Sequence, residues 1–496
     1  MLKTSLGFLG VSIICLLFAD IEVTTIDPWI ELGRMLKGAA TPDLRVLWDF
    51  RTAILNTLVF AICGIAIGVA VGAPLSLFFH LRPVRVVCAL VRAVHEIFWA
   101  FLFLPIVGLN PVCGVLAIAI PYAGVFAKVC AEIIQEADAR PASALPYGTD
   151  RLTRFAYGVL PVVFRSFKSY SSYRFECALR SSAVLGFVGL PTLGFHLETA
   201  FREGLYCEAA ALLYAFYLLI FSLKWWVRPR AVPVWVAGSF LLLAKDVSIQ
   251  WDNISRLAYE ILPWPMRRDG FLEGSDTIAW TAVETNQWLL DLIGNQGMQG
   301  TWDTVVLTQV VLGVTGLFAA AAFPLVCHHF WNRNTRGLGN LLLIVVRTTP
   351  EYVLAYVFIQ LWGPSMLPAI LAISLHNGAI LAHLTGARAN QITLKEDSPS
   401  RGLDRYGYEI LPRTFGQLLA FLLYRWEIIA RESAILGILG IYTLGFFIDS
   451  AISDNKLDQA IVLIAISAIL NVGIDSISQV VRRKLRISVG KITTLT

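Results

Sequence analysis

The sequence predicts an all-α polytopic membrane protein of about twelve transmembrane helices, arranged as two six-helix halves related in parallel. Three observations carry this. The 496 residues are 56% hydrophobic and only 15% charged, with a mean hydropathy of +0.66, whereas a soluble domain is about 45–50% apolar and about 25% charged. Apolar runs recur at the length of about 20 residues that spans a bilayer core about 30 Å thick. The stretch 160–195 returns without a gap as 411–446, an offset of 251, with 16 of 36 positions identical. A repeat of this kind sets the organisation before any single element does.

In chain order the expected spans of the first half are 4–20, 53–79, 86–106, 111–131, 174–195 and 206–226. Those of the second are 231–247, 303–328, 340–361, 364–386, 424–448 and 457–480. The first run begins Met1-Leu2-Lys3 and lacks a small-residue cleavage site, so it reads as an uncleaved anchor. The spans 86–106 and 174–195 are the least regular, because each contains charges. Basic residues concentrate in alternate loops: Arg82, Arg85 and Arg92; Arg140, Arg151, Arg154, Arg165 and Lys168; Lys224, Arg228 and Arg230; Arg333 and Arg336; and the tail Arg482, Arg483, Lys484 and Arg486. The intervening loops are acid-rich, with Asp449, Asp454 and Asp458 in one and seven acids in 248–302. The positive-inside bias then places both termini in the cytoplasm of a multi-pass inner (cytoplasmic) membrane protein.

The halves divide as 1–228 and 229–496, and each is an anchor helix followed by a five-helix core. Between anchor and core lies an extracytoplasmic stretch, 21–52 in the first half and 248–302 in the second. The second is tryptophan-rich (Trp251, Trp264, Trp280, Trp288, Trp302), which suits either the outer membrane interface or a docking surface for a soluble partner. Six spans separate equivalent points, so the halves share one orientation. The eight cysteines show no metal spacing and read as apolar fillers.

Three motifs carry the function. Ala142-Ser143-Ala144-x-x-x-Gly148 stands before Gly158-Val159-Leu160-Pro161. Its counterpart is Glu396-Asp397-Ser398-x-x-x-Gly402 before Glu409-Ile410-Leu411-Pro412. Tyr173-Arg174-x-Glu176-x-x-x-Arg180 matches Tyr424-Arg425-x-Glu427-x-x-x-Arg431, and Leu185-Gly186-x-x-Gly189 matches Leu436-Gly437-x-x-Gly440. This set resembles the permease subunit of phosphonate-type ABC importers, with two half-permeases fused in one chain. The loop departs from the usual Glu-Ala-Ala-x-x-x-Gly pattern. Ala142 stands where its glutamate is expected, and the second copy is three residues short.

The resemblance implies that loops 136–161 and 391–412 are rigid pegs gripped by two ABC ATPase subunits on the cytoplasmic side. The peg residues would be Ala142, Ala144, Gly148, Leu160, Pro161, Glu396, Gly402, Leu411 and Pro412. It also implies an extracytoplasmic substrate-binding protein and alternating access. The Glu176/Arg180 and Glu427/Arg431 pairs at helical spacing either satisfy themselves or present positive charge to an anionic substrate. Arg92 and Arg347 read as anchors, each with a glutamate one turn on, Glu96 and Glu351. Gly186, Gly189, Gly437 and Gly440 allow close helix approach or line the path. His376 and His383 read as packing residues, without a metal set.

No phosphate-binding loop or hydrolytic motif occurs in the sequence. The chain is therefore expected to be no enzyme and to carry no cofactor, with ATP and Mg belonging to its partners. Its environment is the lipid bilayer, and nothing suggests nucleic acid. The substrate class implied is phosphonate or a related phosphorus oxyanion. Alternatives are an ion-gradient-driven secondary transporter with parallel repeats, or an ABC permease for another small anion.

Overall fold

The computed structural model describes residues 2–25, 27–138, 140–243, 259–268, 278–395 and 402–485, and every regular element among them is helical. In the first half these are α1 (Leu2–Leu16), α2 (Pro28–Ala40), α3 (Arg51–Leu77), α4 (Arg82–Ala93), α5 (Glu96–Val107), α6 (Pro111–Gln135), α7 (Leu160–Val184), α8 (Leu193–Arg202) and α9 (Tyr206–Trp226). In the second they are α10 (Val232–Leu243), α11 (Ile278–Leu292), α12 (Met298–Ala322), α13 (Arg333–Thr348), α14 (Glu351–Trp362), α15 (Met366–Ala389), α16 (Leu411–Ile438), α17 (Leu444–Ser453) and α18 (Leu457–Leu485). The core helices α3–α9 and α12–α18 follow the same order.

Among the described residues six helices are long and apolar enough to cross a membrane, or nine if three bent pairs each count as one. That is fewer than the twelve spans expected, and the shortfall has physical causes. The expected spans 86–106 and 340–361 are elbows: α4 and α5 meet at 90°, as do α13 and α14. Val94 and His95 are both extended at the first elbow, and Thr349 and Pro350 at the second. Pro350 has no N–H to give and pushes Thr349 off helical geometry. The expected spans 174–195 and 424–448 instead belong to helices that start at Leu160 and Leu411 and then break before α8 and α17. Helix 303–328 is the end of a 45-residue run, 282–326. The anchor α1 has 15 residues, and α10 is described as far as Leu243.

The compact units do not follow the linear halves. One holds residues 37–257, and the other holds 1–36 with 258–492. The anchor α1 therefore packs on the second core. Ser12 donates to the Gln309 carbonyl (2.7 Å), and Phe8 meets the Trp426 ring edge-on at 5.3 Å. The segment after α1 continues there, with Met366 N–H donating to the Asp20 carbonyl (2.8 Å). Reciprocally, α10 lies along α3, and Trp235 Nε1 donates to the Trp226 carbonyl (3.3 Å). The repeats at 1–228 and 229–496 thus exchange their first helices.

Within the first core, α3 and α6 meet along Gly64, Gly68 and Gly72, one residue per turn. A Cβ at Gly72 would touch the Ala123 carbonyl and the Phe126 side chain. Lipid gives helices no hydrophobic reason to associate, so such small-residue stripes supply close packing instead. The tryptophan-rich stretch is partly docked: Trp264 N–H (3.0 Å) and Arg267 (3.1 Å) both reach Asp458 at the start of α18. Trp251 lies outside the described residues. We expect Gly72→Leu to destabilise the first core by about 1–3 kcal/mol, the usual cost of overpacking. A melting temperature in detergent equal to that of the parent would show that α3 and α6 are not in this contact.

Candidate functional site

Both loops between the long helices form short pegs. In the first, helix 140–143 is closed by Ser143 Oγ and Ala144 N–H, each donating to the Arg140 carbonyl (2.9 and 3.1 Å). Arg140 also grips Asp138 with two nitrogens (2.8 and 2.6 Å). Gly148 then turns the chain at φ +90°, and Pro161 sits in the first turn of α7 behind Leu160. Ala142 is the contact residue here: a Cβ at Gly158 would lie 2.7 Å from its Cα, so the peg rests directly on the approach to α7. The close approach depends on Gly158, which has no Cβ to meet Ala142.

The second peg is fastened by charge. Gly402 turns at φ +81°, and Leu411-Pro412 opens α16. Glu409, at the position equivalent to Gly158, is buried and accepts from Arg413 (2.6 Å), which also donates to the Thr393 carbonyl (2.9 Å). Arg405 donates to the His329 carbonyl (3.0 Å), and Tyr406 donates to the Ala320 carbonyl (2.9 Å) while stacking on Phe323. Glu396 lies outside the described residues. Glu409 and Arg413 stand at helical i,i+4 spacing across the Leu-Pro motif, a signal present in the sequence.

Exposed side chains extend the repeat into the pegs. Leu152 and Tyr157 of the first are 73% and 75% exposed, and at the offset of 251 stand Leu403 and Tyr408, 85% and 80% exposed. The same two large side chains are thus exposed at matching positions of the two loops.

The glycine pairs serve chain folding within each half. A Cβ at Gly186 would collide with the backbone of Gly194 and Phe195, and one at Gly437 with Gly445 and Phe446. Gly189 and Gly440 adopt φ +88° and +86°, where only glycine sits without strain. These contacts fold α7 onto α8, and α16 onto α17, backbone against backbone. The first N–H groups of α8 and α17 find partners on other helices. Leu193 N–H donates to Thr57 Oγ1 (2.8 Å) and Leu444 N–H to Thr304 Oγ1 (3.0 Å). The two threonines were not singled out from the sequence, because nothing local marks a cap supplied by another helix.

Of the candidate charges, Glu176, Arg180, Glu427 and Arg431 are half-buried on α7 and α16, and Arg180 reaches Cys177 Sγ at 3.5 Å. The residues brought together at the elbows are others. In the first half His95 Nδ1 accepts from Ile97 N–H (3.2 Å), which puts the imidazole proton on Nε2, 3.3 Å from Glu96 Oε2. Ser181 donates to Glu96 Oε1 (3.3 Å), and Tyr122 Oη lies 3.2 Å from Ser181 Oγ. Arg174 is held by Tyr170 Oη (2.7 Å) among the rings of Tyr122, Tyr170 and Tyr173. In the second half Glu351, His376 and Glu432 meet, and Asn377 donates to Glu432 Oε2 (2.8 Å) while accepting from Arg425 (3.2 Å). Arg174 and Arg425 stand in the repeated Tyr-Arg motif, yet only the fold shows that Arg174 lies near buried Glu96 through Tyr122 and Ser181 and that Arg425 leads through Asn377 to half-buried Glu432.

Long apolar helices, internal duplication and two matched pegs define a polytopic transport permease. The chain is 24% identical over 469 residues to the phosphate-import permease protein PhnE of Mycolicibacterium smegmatis, covering 87% of this chain and 84% of that one. It is 29% identical over 224 residues to the phosphite transport system permease protein PtxC of Stutzerimonas stutzeri, covering 42% and 81%. It is 35% identical over 99 residues to the putative cryptic phosphonate transport system permease protein PhnE2 of Escherichia coli K12, covering 20% and 81%. No protein-family profile matches the chain, and no solved structure matches it. The chain belongs to the family of phosphonate- and phosphite-type ABC transport permeases.

The two fastenings can be compared directly. In a double-mutant cycle on Glu409→Gln and Arg413→Gln, read as melting temperature, we expect a coupling of about 0.2–1 kcal/mol, as for a partly exposed pair. Additive single effects would mean that the Glu409/Arg413 pair does not hold the second peg.

Proposed function

We propose that the chain is the fused, membrane-spanning permease of an ABC importer that moves phosphonate or a related phosphorus oxyanion into the cytoplasm by alternating access. The observation that carries this reading is the duplication of the peg itself, with Leu152 and Tyr157 repeated as Leu403 and Tyr408. The similarity to a phosphate-import permease over most of the chain supports it. On this reading two ATPase subunits grip the pegs, one each, and carry the ATP and Mg that this chain has no motif to hold. A binding protein delivers substrate on the far side. The basic loops place the pegs and both termini in the cytoplasm, and the membrane is the inner one.

The mechanism follows from stiffness. A peg seated directly on the first turn of α7 or α16 moves as one body with that helix. Closure of the ATPases then tilts α7 and α16, and their glycine-locked junctions carry α8 and α17 along. Substrate and nucleotide must favour different states for this to move anything, because an equilibrium shifts only by differential affinity. Arg180 and Arg431, half-buried on the moving helices, offer positive charge to the passing anion.

The test is reconstitution in proteoliposomes with a partner ATPase and a binding protein. Uptake of a phosphorus oxyanion should require ATP. Uptake driven by an ion gradient without ATPase would establish a secondary transporter instead. Gly148→Val or Leu160→Asp should leave hydrolysis running without uptake, and normal coupled uptake would overturn the peg assignment. Tyr157→Ala and Tyr408→Ala should each weaken ATPase attachment at one peg by roughly 30-fold, the scale of an aromatic hot spot. Arg180→Gln with Arg431→Gln should lower anion uptake at unchanged protein level.

A further inference from the structure

The two elbows carry a glutamate each, Glu96 and Glu351, but their surroundings differ in a way that bears on chemistry. At the first elbow the imidazole faces the carboxylate with a proton, because His95 Nδ1 is occupied as an acceptor from Ile97 N–H. A neutral histidine satisfies Glu96 there, and the hydroxyl of Ser181 helps.

At the second elbow the ring is turned round. His376 is 1% exposed, and its Nδ1 lies 2.9 Å from the Thr349 carbonyl. A carbonyl only accepts, so Nδ1 carries the proton and the neutral ring directs its lone pair from Nε2. That nitrogen faces Glu351 Oε2 at 3.9 Å. The position equivalent to Ser181 is Glu432, a second carboxylate. Its oxygen, the Glu351 oxygen and the imidazole nitrogen lie within 4.8 Å of one another. Three electron-pair donors thus converge from three helices, α14, α15 and α16, at a buried point.

We propose that Glu351, His376 and Glu432 form a binding site for one divalent first-row transition cation, with Zn2+ as the probe. Imidazole nitrogen with carboxylate oxygen is a donor set these ions accept. Metal–ligand bonds of about 2.0–2.2 Å put donor pairs up to about 4 Å apart, so the three atoms need to close only slightly. The outer contacts are those of a built site: the Thr349 carbonyl orients His376, while Asn377, itself held by Arg425, orients Glu432. The cation would offset the negative charges of buried Glu351 and half-buried Glu432 and tie α16, the helix that continues the second peg, to α14 and α15. The first half has no second carboxylate at the matching position, so the site belongs to the second half alone. It stands independently of the substrate reading.

The test uses the full chain in detergent, without ATPase or substrate. Equilibrium dialysis against buffered Zn2+, read by elemental analysis, should give one saturable high-affinity site per chain, and Co2+ should give the visible absorption of a nitrogen- and oxygen-ligated ion. His376→Gln and Glu432→Ser should weaken binding by more than about 100-fold, and Asn377→Ala by about 10–100-fold, the range for an orienting partner. Glu432→Ser installs the residue that the first half already tolerates, so loss of folding does not obscure the result. His80→Ala, an exposed histidine elsewhere, should bind as the parent does. Absence of a saturable site, or equal affinity in the monodisperse His376 and Glu432 variants, would overturn the proposal and leave His376 as a protonated partner of two carboxylates.

Discussion

Everything in this fold answers to one constraint: in lipid, no backbone N–H or carbonyl can be left to water. The helices meet it unaided, but each core contains an elbow and a broken pair where the ladder stops. At the break after α7 and again after α16, a threonine on a neighbouring helix supplies the missing partner, Thr57 in one half and Thr304 in the other. Glycines bring backbone against backbone so that no void is left. The junctions are stiff for the same reason that they are tolerated, and stiffness lets a peg at one end of a helix act on what lies at the other.

Duplication makes the differences between halves informative. The first peg rests on Ala142 against Gly158, a contact made by the absence of side chains. The second sets Glu409 at the Gly158 position and neutralises it with Arg413. At the elbows, a serine in the first half becomes Glu432 in the second. Once two copies share a chain they no longer need to serve both faces of a symmetric pair, and each substitution here comes with a compensating partner. The exchange of α1 and α10 between the compact units is the fold's other consequence of fusion, since each anchor packs on the core that does not follow it.

Much of this was legible in the sequence. Composition points to the all-α membrane class, and the repeat 160–195 against 411–446 reappears as the matching order of α3–α9 and α12–α18. Gly148, Gly402, Pro161 and Pro412 sit where their backbone chemistry required. The 90° bends inside 86–106 and 340–361 are not legible, because a run of 20 apolar residues reads alike whether it is straight or turned, and Thr349-Pro350 is the one local signal. Gly186 and Gly437 make the close backbone approach that the sequence offers beside path lining, and each makes it within its own half. Glu351, His376 and Glu432 could not be grouped from sequence, because they stand far apart on three helices.

The central claim is that one polypeptide presents two seats for ATPase subunits. Native mass spectrometry of the purified complex counts them directly. The account predicts two ATPase copies per permease chain, falling to one in Tyr157→Ala or Tyr408→Ala. A single copy on the parent chain, or an association indifferent to both tyrosines, would contradict it.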